Sequence, residues 1–347
     1  MPSDPHEAFL AGKTLADIDA DIARQAGAMN KRSTKLVPLD RLHSLNTFTA
    51  RALQEMEFPP IEYVVPGYVV EGLTLLTGKP KLGKSWLALD WALAVAYGGI
   101  ASGSIECPEG DVLYAALEDN PRRLHRRMQQ LLPDGTWPDR LELMTSLRRL
   151  DAGGLDDLRT WADAAENPRL IVVDTFACVR PPRARNDGAY DADYASLSPL
   201  QVMAGERSLA VVVVHHVRKL EAEDPLDTVS GTTGLTGAAD TVLVLNRDSQ
   251  GVTLYGRGRD IEDIETAMQF DSTTGRWSIL GAASMVRKSD ERKKIIDALA
   301  EATEPLGPSE IAAATGMANN NVRFLLTKMV ASGEVERVGR AQYALPL

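Results

Sequence analysis

Between residues 60 and 282 the chain alternates short β-branched, apolar runs with longer helical stretches, the pattern of a mostly parallel sheet covered by helices. The apolar runs predict strands over Leu73–Thr77, Val112–Ala116, Leu141–Met144, Leu170–Val173 and Leu209–Val214. Four more follow at Thr241–Leu245, Val252–Tyr255, Ala267–Phe270 and Trp277–Leu280, joined by short turns, so the sheet is expected to finish in antiparallel hairpins. Residues 1–55 are polar and weakly patterned, with a basic cluster at Lys31, Arg32 and Lys35. They predict an extension that is partly helical and partly disordered. From residue 288 the pattern changes. Glu291–Ala302 is an amphipathic helix with Ile295, Ile296 and Leu299 inward, followed by a capped short helix over Pro308–Gly316. A longer helix over Asn319–Val330 and an alternating hairpin from Val335 to Leu345 complete the module. The expected domains are an extension (1–55), a large α/β domain (56–284) and a small C-terminal domain (288–347).

Composition narrows the setting. A chain of 347 residues, 44% hydrophobic and 25% charged, has the make-up of an ordinary water-soluble protein. No run approaches ~20 uninterrupted apolar residues, and the best candidate is broken by Asp90, so no membrane span is expected. Asp4, His6 and Glu7 occupy the place where a secretory leader carries positive charge. Cys107 and Cys178 are far apart and have no metal-ligand spacing around them, which predicts two reduced thiols in the cytoplasm. The net charge of −10 excludes a protein that binds nucleic acid by overall charge; any such contact must be local.

The chemistry starts at Gly78-Lys79-Pro80-Lys81-Leu82-Gly83-Lys84-Ser85, which spells G-x-x-x-x-G-K-S between a predicted strand and the helix-forming run Trp86–Ala96. Strand, glycine loop and helix make a phosphate cradle. The two glycines let the backbone N–H groups turn inward, and the helix adds its positive end. Lys84 is expected to reach the β- and γ-phosphates of ATP, and Ser85 to hold Mg²⁺.

Further residues extend this site. Asp174 closes the buried run Leu170–Val173 some ninety residues downstream of the loop, where a carboxylate can serve the metal beside Ser85. Glu118 follows the strand Val112–Ala116. It either orients the attacking water or is a surface acid in the turn to Pro121; the first reading assumes that its strand neighbours the phosphate loop. Asp119 is assigned to capping the helix that begins near Pro121. His215 and His216 end the run from Leu209, and strand period aims them oppositely, so one faces the nucleotide. Arg257 and Arg259 place two guanidinium groups on one side of a strand. They suit a triphosphate held by a neighbouring subunit, or form a solvated pair with Asp260 as a bridge.

The ordered set, phosphate loop, Leu-Glu-Asp at 117–119, Val-Val-Asp-Thr at 172–175, Val-His-His-Val-Arg-Lys at 214–219, Ser-Gly-Thr-Thr-Gly at 230–234, Ala239-Asp240 and Gly-Arg-Gly-Arg-Asp at 256–260, resembles the RecA-like core of hexameric helicases, and more closely the plasmid RepA-type replicative helicases. The likeness covers residues 60 to about 280. It implies a RecA-like P-loop ATPase using ATP and Mg²⁺, with Glu118 activating water, Asp174 serving the metal and His216 sensing the γ-phosphate. Arg259 would be the arginine finger on the adjacent subunit and Arg257 a second, piston-like contact. The family assembles as a hexameric ring. One departure is Lys79-Pro80-Lys81 where many relatives carry small residues.

The C-terminal order, three helices then a hairpin, resembles a winged helix-turn-helix, with Asn319–Arg323 opening the recognition helix. Eight Lys and Arg balance eight acids between residues 288 and 347, so the module suits either DNA or protein contact. Two loops are candidates for single-stranded DNA: Arg180, Arg183 and Arg185 after the Asp174 strand, and Arg218 and Lys219 after His216. Arg323 is the candidate in the winged helix. Acids at Glu221, Glu223 and Asp224, and few aromatics, argue against strong strand binding there. Two functions are therefore expected: a ring motor that moves on DNA and unwinds it for a phage, plasmid or prophage, or a nucleotide-switched DNA-binding or assembly ATPase without unwinding.

Overall fold

The computed structural model describes residues 47–58, 60–183, 188–216 and 233–346. The chain divides into two compact units, Met1–Pro60 and Ile61–Leu347. In the first, helix α1 (Ala50–Gln54) is capped by Thr49, whose hydroxyl accepts from Ala52 N. The rest of the expected extension, residues 1–46, lies outside the described residues.

The second unit is built on a nine-stranded sheet. Its strands are β3 (Gly72–Gly78), β6 (Asp111–Ala116), β7 (Leu141–Met144), β8 (Pro168–Asp174) and β9 (Ala210–His216). β10 (Thr241–Asp248), β11 (Gly251–Gly258), β12 (Ile264–Asp271) and β13 (Arg276–Ala282) complete it. Short pairs, β1 (Tyr63–Val65) with β2 (Val69–Val70) and β4 (Ile100–Ala101) with β5 (Ile105–Glu106), lie outside it and had no counterpart in the sequence pattern. The order across the sheet is β13-β12-β11-β10-β3-β9-β8-β6-β7. Six strands from β10 to β7 run parallel, and β11, β12 and β13 are antiparallel, as the short turns required.

The near-continuous apolar strands are explained by burial on both faces. On β9, Ala210, Val212 and Val214 join one core, together with helix α2 (Lys84–Tyr97) and helix α3 (Pro121–Leu131). Val211 and Val213 join the other, with α4 (Gly154–Ala164), α5 (Ala189–Glu206) and α6 (Thr233–Ala238). Period two thus sends His216 to the α2 face and His215 to the α5 face.

The C-terminal module contains α7 (Ala283–Glu301), α8 (Pro308–Thr315), α9 (Asn319–Ala331) and the hairpin β14 (Glu336–Gly339) with β15 (Gln342–Ala344). Its core gathers Ile295, Leu299, Ile311, Val322, Leu326 and Met329. α7 starts eight residues before the expected Glu291, directly at the end of β13. Those residues contain no Gly or Pro and stay helical, but they bury only Ala283 and add polar contacts, too little to show as an apolar stripe. Arg287 bonds Glu265 at 3.1 Å and the Tyr255 hydroxyl at 2.9 Å. One helix therefore serves both the sheet and the winged helix.

Candidate nucleotide site

The C-terminal ends of the parallel strands carry the site, where open α/β sheets bind ligands. β3 runs into the loop Gly78–Gly83 and then α2. Gly78 has φ 149°, and a Cβ there would come within 2.3 Å of the Leu245 carbonyl oxygen on β10. Gly83 has φ 100°, and its Cβ would meet Trp277 Cζ2 at 2.9 Å. Both positions are closed to side chains, so the loop between them presents its backbone. Lys79, Pro80 and Lys81 form the exposed tip, Lys81 with φ 63°, and Leu82 is half-buried against the core.

Lys84 is buried, and its Nζ donates to the carbonyls of Gly78 at 2.8 Å and Lys79 at 2.9 Å. Burial lowers its pKa to about 8, against the pull of Asp174 and Glu118. The Tyr114 hydroxyl donates to Asp174 Oδ2 at 2.8 Å and stands 3.2 Å from the Ser85 carbonyl oxygen. One buried hydroxyl thus ties the two expected metal residues together, and burial beside Asp174 keeps its proton on well beyond neutral pH. No group of three or more His, Cys, Asp or Glu able to hold a metal occurs among the described residues. One hydroxyl and one carboxylate suit Mg²⁺, which keeps waters and takes phosphate oxygens as its other ligands.

Glu118 and His216 meet at the rim. His216 Nε2 lies 3.9 Å from Glu118 Oε1. Burial and Lys84 lower the His216 pKa, so the imidazole is neutral at neutral pH and the contact is not an ion pair. His215 sits edge-on to Phe176 at 6.0 Å, its pKa lowered to about 4, chiefly by burial. The Nδ1 atoms of both histidines are buried without a hydrogen-bond partner.

Three expectations are corrected. The strand bearing Glu118 does not neighbour β3, because β9 and β8 stand between them; Glu118 reaches the site by extending past β6. Asp119 does not cap α3. Asn120 does, accepting from Arg123 N at 2.9 Å, while Asp119 turns inward to pair with Arg123 and Arg127. The arginine pair does not use Asp260, whose carbonyl accepts from the Tyr63 hydroxyl. Arg257 pairs with Asp263 at 3.4 Å, and Arg259, just past the end of β11, with Asp240 at 3.1 Å.

Register separates these arginines from the phosphate loop of the same chain. Arg257 is opposite Val242, and Val242 is opposite Leu75. Arg259 N donates to the Asp240 carbonyl, and Asp240 N to that of Leu73. At ~3.3 Å per residue, Leu75 is about 10 Å and Leu73 about 17 Å along β3 from Gly78.

The described ones among the expected DNA residues are engaged elsewhere. Arg180 and Arg183 converge on Asp193, whose side chain is 3% exposed. Arg185, Arg218, Lys219 and the segment 230–232 lie outside the described residues. On α9, Arg323 Nε donates to Asn319 Oδ1 at 2.8 Å. Asn319 also donates to Ser309, and Asn321 to Glu291, so two of the expected base-reading asparagines brace the module instead.

Two site residues escaped the sequence reading. Tyr114 lies inside an apolar run where its hydroxyl gave no signal beyond its place two residues before Ala116 on the Asp174-facing side. Trp277 comes from the far end of the sheet; it is 1% exposed, and its Nε1 donates to the Gly83 carbonyl at 3.0 Å.

A family model for an AAA domain matches residues 16–222. The chain belongs to that family. A second model, an IclR helix-turn-helix domain, matches residues 294–339, in keeping with the winged helix seen here. The fold is similar to that of a solved ATPase domain, with TM-score 0.50 and 14% identity over 70% of this chain and 98% of that one. It is also similar to a DnaB-like replicative helicase studied for its interactions with primase, with TM-score 0.50 and 14% identity over 75% of this chain and 74% of that one. This AAA protein is therefore an ATPase with a RecA-like core and a C-terminal winged helix-turn-helix. None of its described helices is long and apolar enough to cross a membrane.

Proposed function

We propose that this ATPase is a ring motor of the plasmid RepA-type, hexameric, that moves on single-stranded DNA and unwinds duplex. The carrying observation is the division of the site. Lys84, Ser85, Glu118, Asp174 and His216 gather at one end of the sheet, while Arg257 and Arg259 lie two strands across from β3 and about 10 and 17 Å back along it. Guanidinium groups so placed stand away from the phosphate loop of their own chain and suit a phosphate on another subunit, and head-to-tail contacts make a ring where the rotation between subunits closes.

Bound MgATP supplies the phosphoanhydride to be cleaved and the metal charge that offsets its phosphates. The loop N–H groups and Lys84 hold the phosphates, Lys84 exchanging its two carbonyl partners for phosphate oxygens. Ser85 and Asp174 would hold the metal, with Tyr114 fixing the carboxylate through its hydrogen bond to Asp174. Glu118, largely exposed and unencumbered by an ion pair with neutral His216, orients the attacking water and draws its proton. His216 donates to a γ-phosphate oxygen. Arg259 of one subunit, released from Asp240, completes the charge around the phosphate of the next, and Arg257 seconds it.

The test is ATP hydrolysis by the full chain with and without single-stranded DNA, with particle mass measured in parallel. Stimulation by DNA together with a ring-sized mass supports the motor; an active monomer indifferent to DNA refutes it. A second reading, a nucleotide-switched DNA-binding or assembly ATPase, draws on the net charge of −10 and the engagement of Arg180 and Arg183 by Asp193. ATP-dependent strand separation would exclude it.

A further inference from the structure

Helix α3 has a charge that runs against the whole chain. The chain has 48 acids to 38 Lys and Arg, yet Pro121–Leu131 carries Arg122, Arg123, Arg126 and Arg127 with His125 and no acid. The helix is sharply two-sided. Leu124, Met128 and Leu131 are buried in the α2-side core. Arg123 and Arg127 turn inward to Asp119, and Arg127 also lies over the Trp86 ring at 5.3 Å. Arg122 and Arg126 are exposed, and among the described residues neither guanidinium has an ion pair or hydrogen bond. They stand one turn apart, where like charges repel and weaken a helix. With Asn120, Arg123, His125 and Gln129 they line a groove of about 420 Å³ to which no carboxylate contributes.

We propose that the outward face of α3, centred on Arg122 and Arg126, binds the phosphate backbone of single-stranded DNA. Each guanidinium offers five donors and no acceptor, so a pair of them one turn apart suits repeated phosphates better than any neutral surface. The site is distinct from the loops after β8 and β9. Those lead to α5 and α6 on one face of the sheet, whereas α3 packs with α2 on the other. It also touches the chemistry: Arg123 lines the groove while its Nη1 holds the Glu118 carbonyl at 2.9 Å. A strand seated there acts on the backbone that positions Glu118, a direct route for DNA to stimulate hydrolysis. This proposal rests on the reading of the protein as a DNA motor.

The experiment is fluorescence anisotropy of the full chain with a labelled single-stranded oligonucleotide, titrated with salt, for the wild type, R122A/R126A and R122K/R126K. Loss of two phosphate contacts lowers the log–log salt slope by about 1.4, which at 0.1 M salt is about 25-fold in affinity. The lysine pair keeps the wild-type slope, and thermal melting verifies that both variants are folded. If R122A/R126A binds with wild-type slope and affinity, the α3 site is refuted and the motor stands; an acidic protein partner for α3 would give that result. If the wild type binds no single strand at all, both fall.

Discussion

Gly83→Ala tests whether the phosphate loop is shaped from behind by Trp277. Gly83 has φ 100°, and an L side chain in a left-handed conformation costs about 1–2 kcal/mol. The new Cβ would also stand 2.9 Å from Trp277 Cζ2, well inside contact, against a ring that is fully buried and tethered by its Nε1 to the Gly83 carbonyl. Overpacking of that kind costs about 1–3 kcal/mol, so the variant should lose roughly 2–5 kcal/mol in all. Trp277→Phe removes the atom that clashes, along with a hydrogen bond of about 0.5–1.5 kcal/mol. In the double variant the overpacking disappears and the backbone strain stays, so the two changes should be non-additive by about 1–3 kcal/mol. Urea unfolding followed by tryptophan fluorescence measures this, because all five tryptophans, at 86, 91, 137, 161 and 277, belong to the α/β core. ATP affinity, measured by calorimetry on the same proteins, should fall with Gly83→Ala and partly recover in the double. Additive energies, or a Gly83→Ala protein within about 0.5 kcal/mol of wild type, would refute the reasoning.

Other outcomes are expected from the same geometry. ATP affinity should be flat below pH 8 and weaken by up to ~tenfold per unit above it, because phosphate binding needs the charged Lys84, whose pKa burial lowers to about 8; constant affinity to pH 9.5 would count against this. The same depression means that the unfolded chain holds more protons than the folded one between about pH 8 and 10.5, so nucleotide-free stability from this group rises with pH across that window. Glu118→Gln should bind ATP normally and hydrolyse it about 10²–10⁴-fold more slowly, and rapid product formation in a single-turnover assay removes Glu118 from the reaction. Arg259→Ala should bind nucleotide yet lose hydrolysis, and mixing it with Lys84→Ala should restore part of the rate; a mixture as inactive as its components argues that the finger does not act between subunits.

Much of this protein is legible locally. Gly-x-x-x-x-Gly-Lys-Ser needs only a strand before it and a helix after it to become a cradle, and both are written in adjacent residues. The central strands β3, β8 and β9 follow from near-continuous apolar runs, because burial on both faces removes polar alternation, whereas the edge strands β7 and β13 keep exposed polar positions. Period two set His215 and His216 on opposite faces, and only the family resemblance said which of them is on the nucleotide side. What the sequence could not carry is which strand lies beside which. The insertion of β9 and β8 between β3 and β6 is a matter of crossover topology, and it moved Glu118 from neighbour to overhang. Trp277 reaches Gly83 across 194 residues of sequence, and Asp240 and Asp193 claim arginines that looked free. The run Arg122–Arg127 was visible but uninformative, since four arginines on a helix are ordinary until the fold shows two turned to Asp119 and two left facing water. Local pattern determines which elements form and what chemistry they can hold; partners separated by a hundred residues are chosen by packing and register, which exist only in the folded chain.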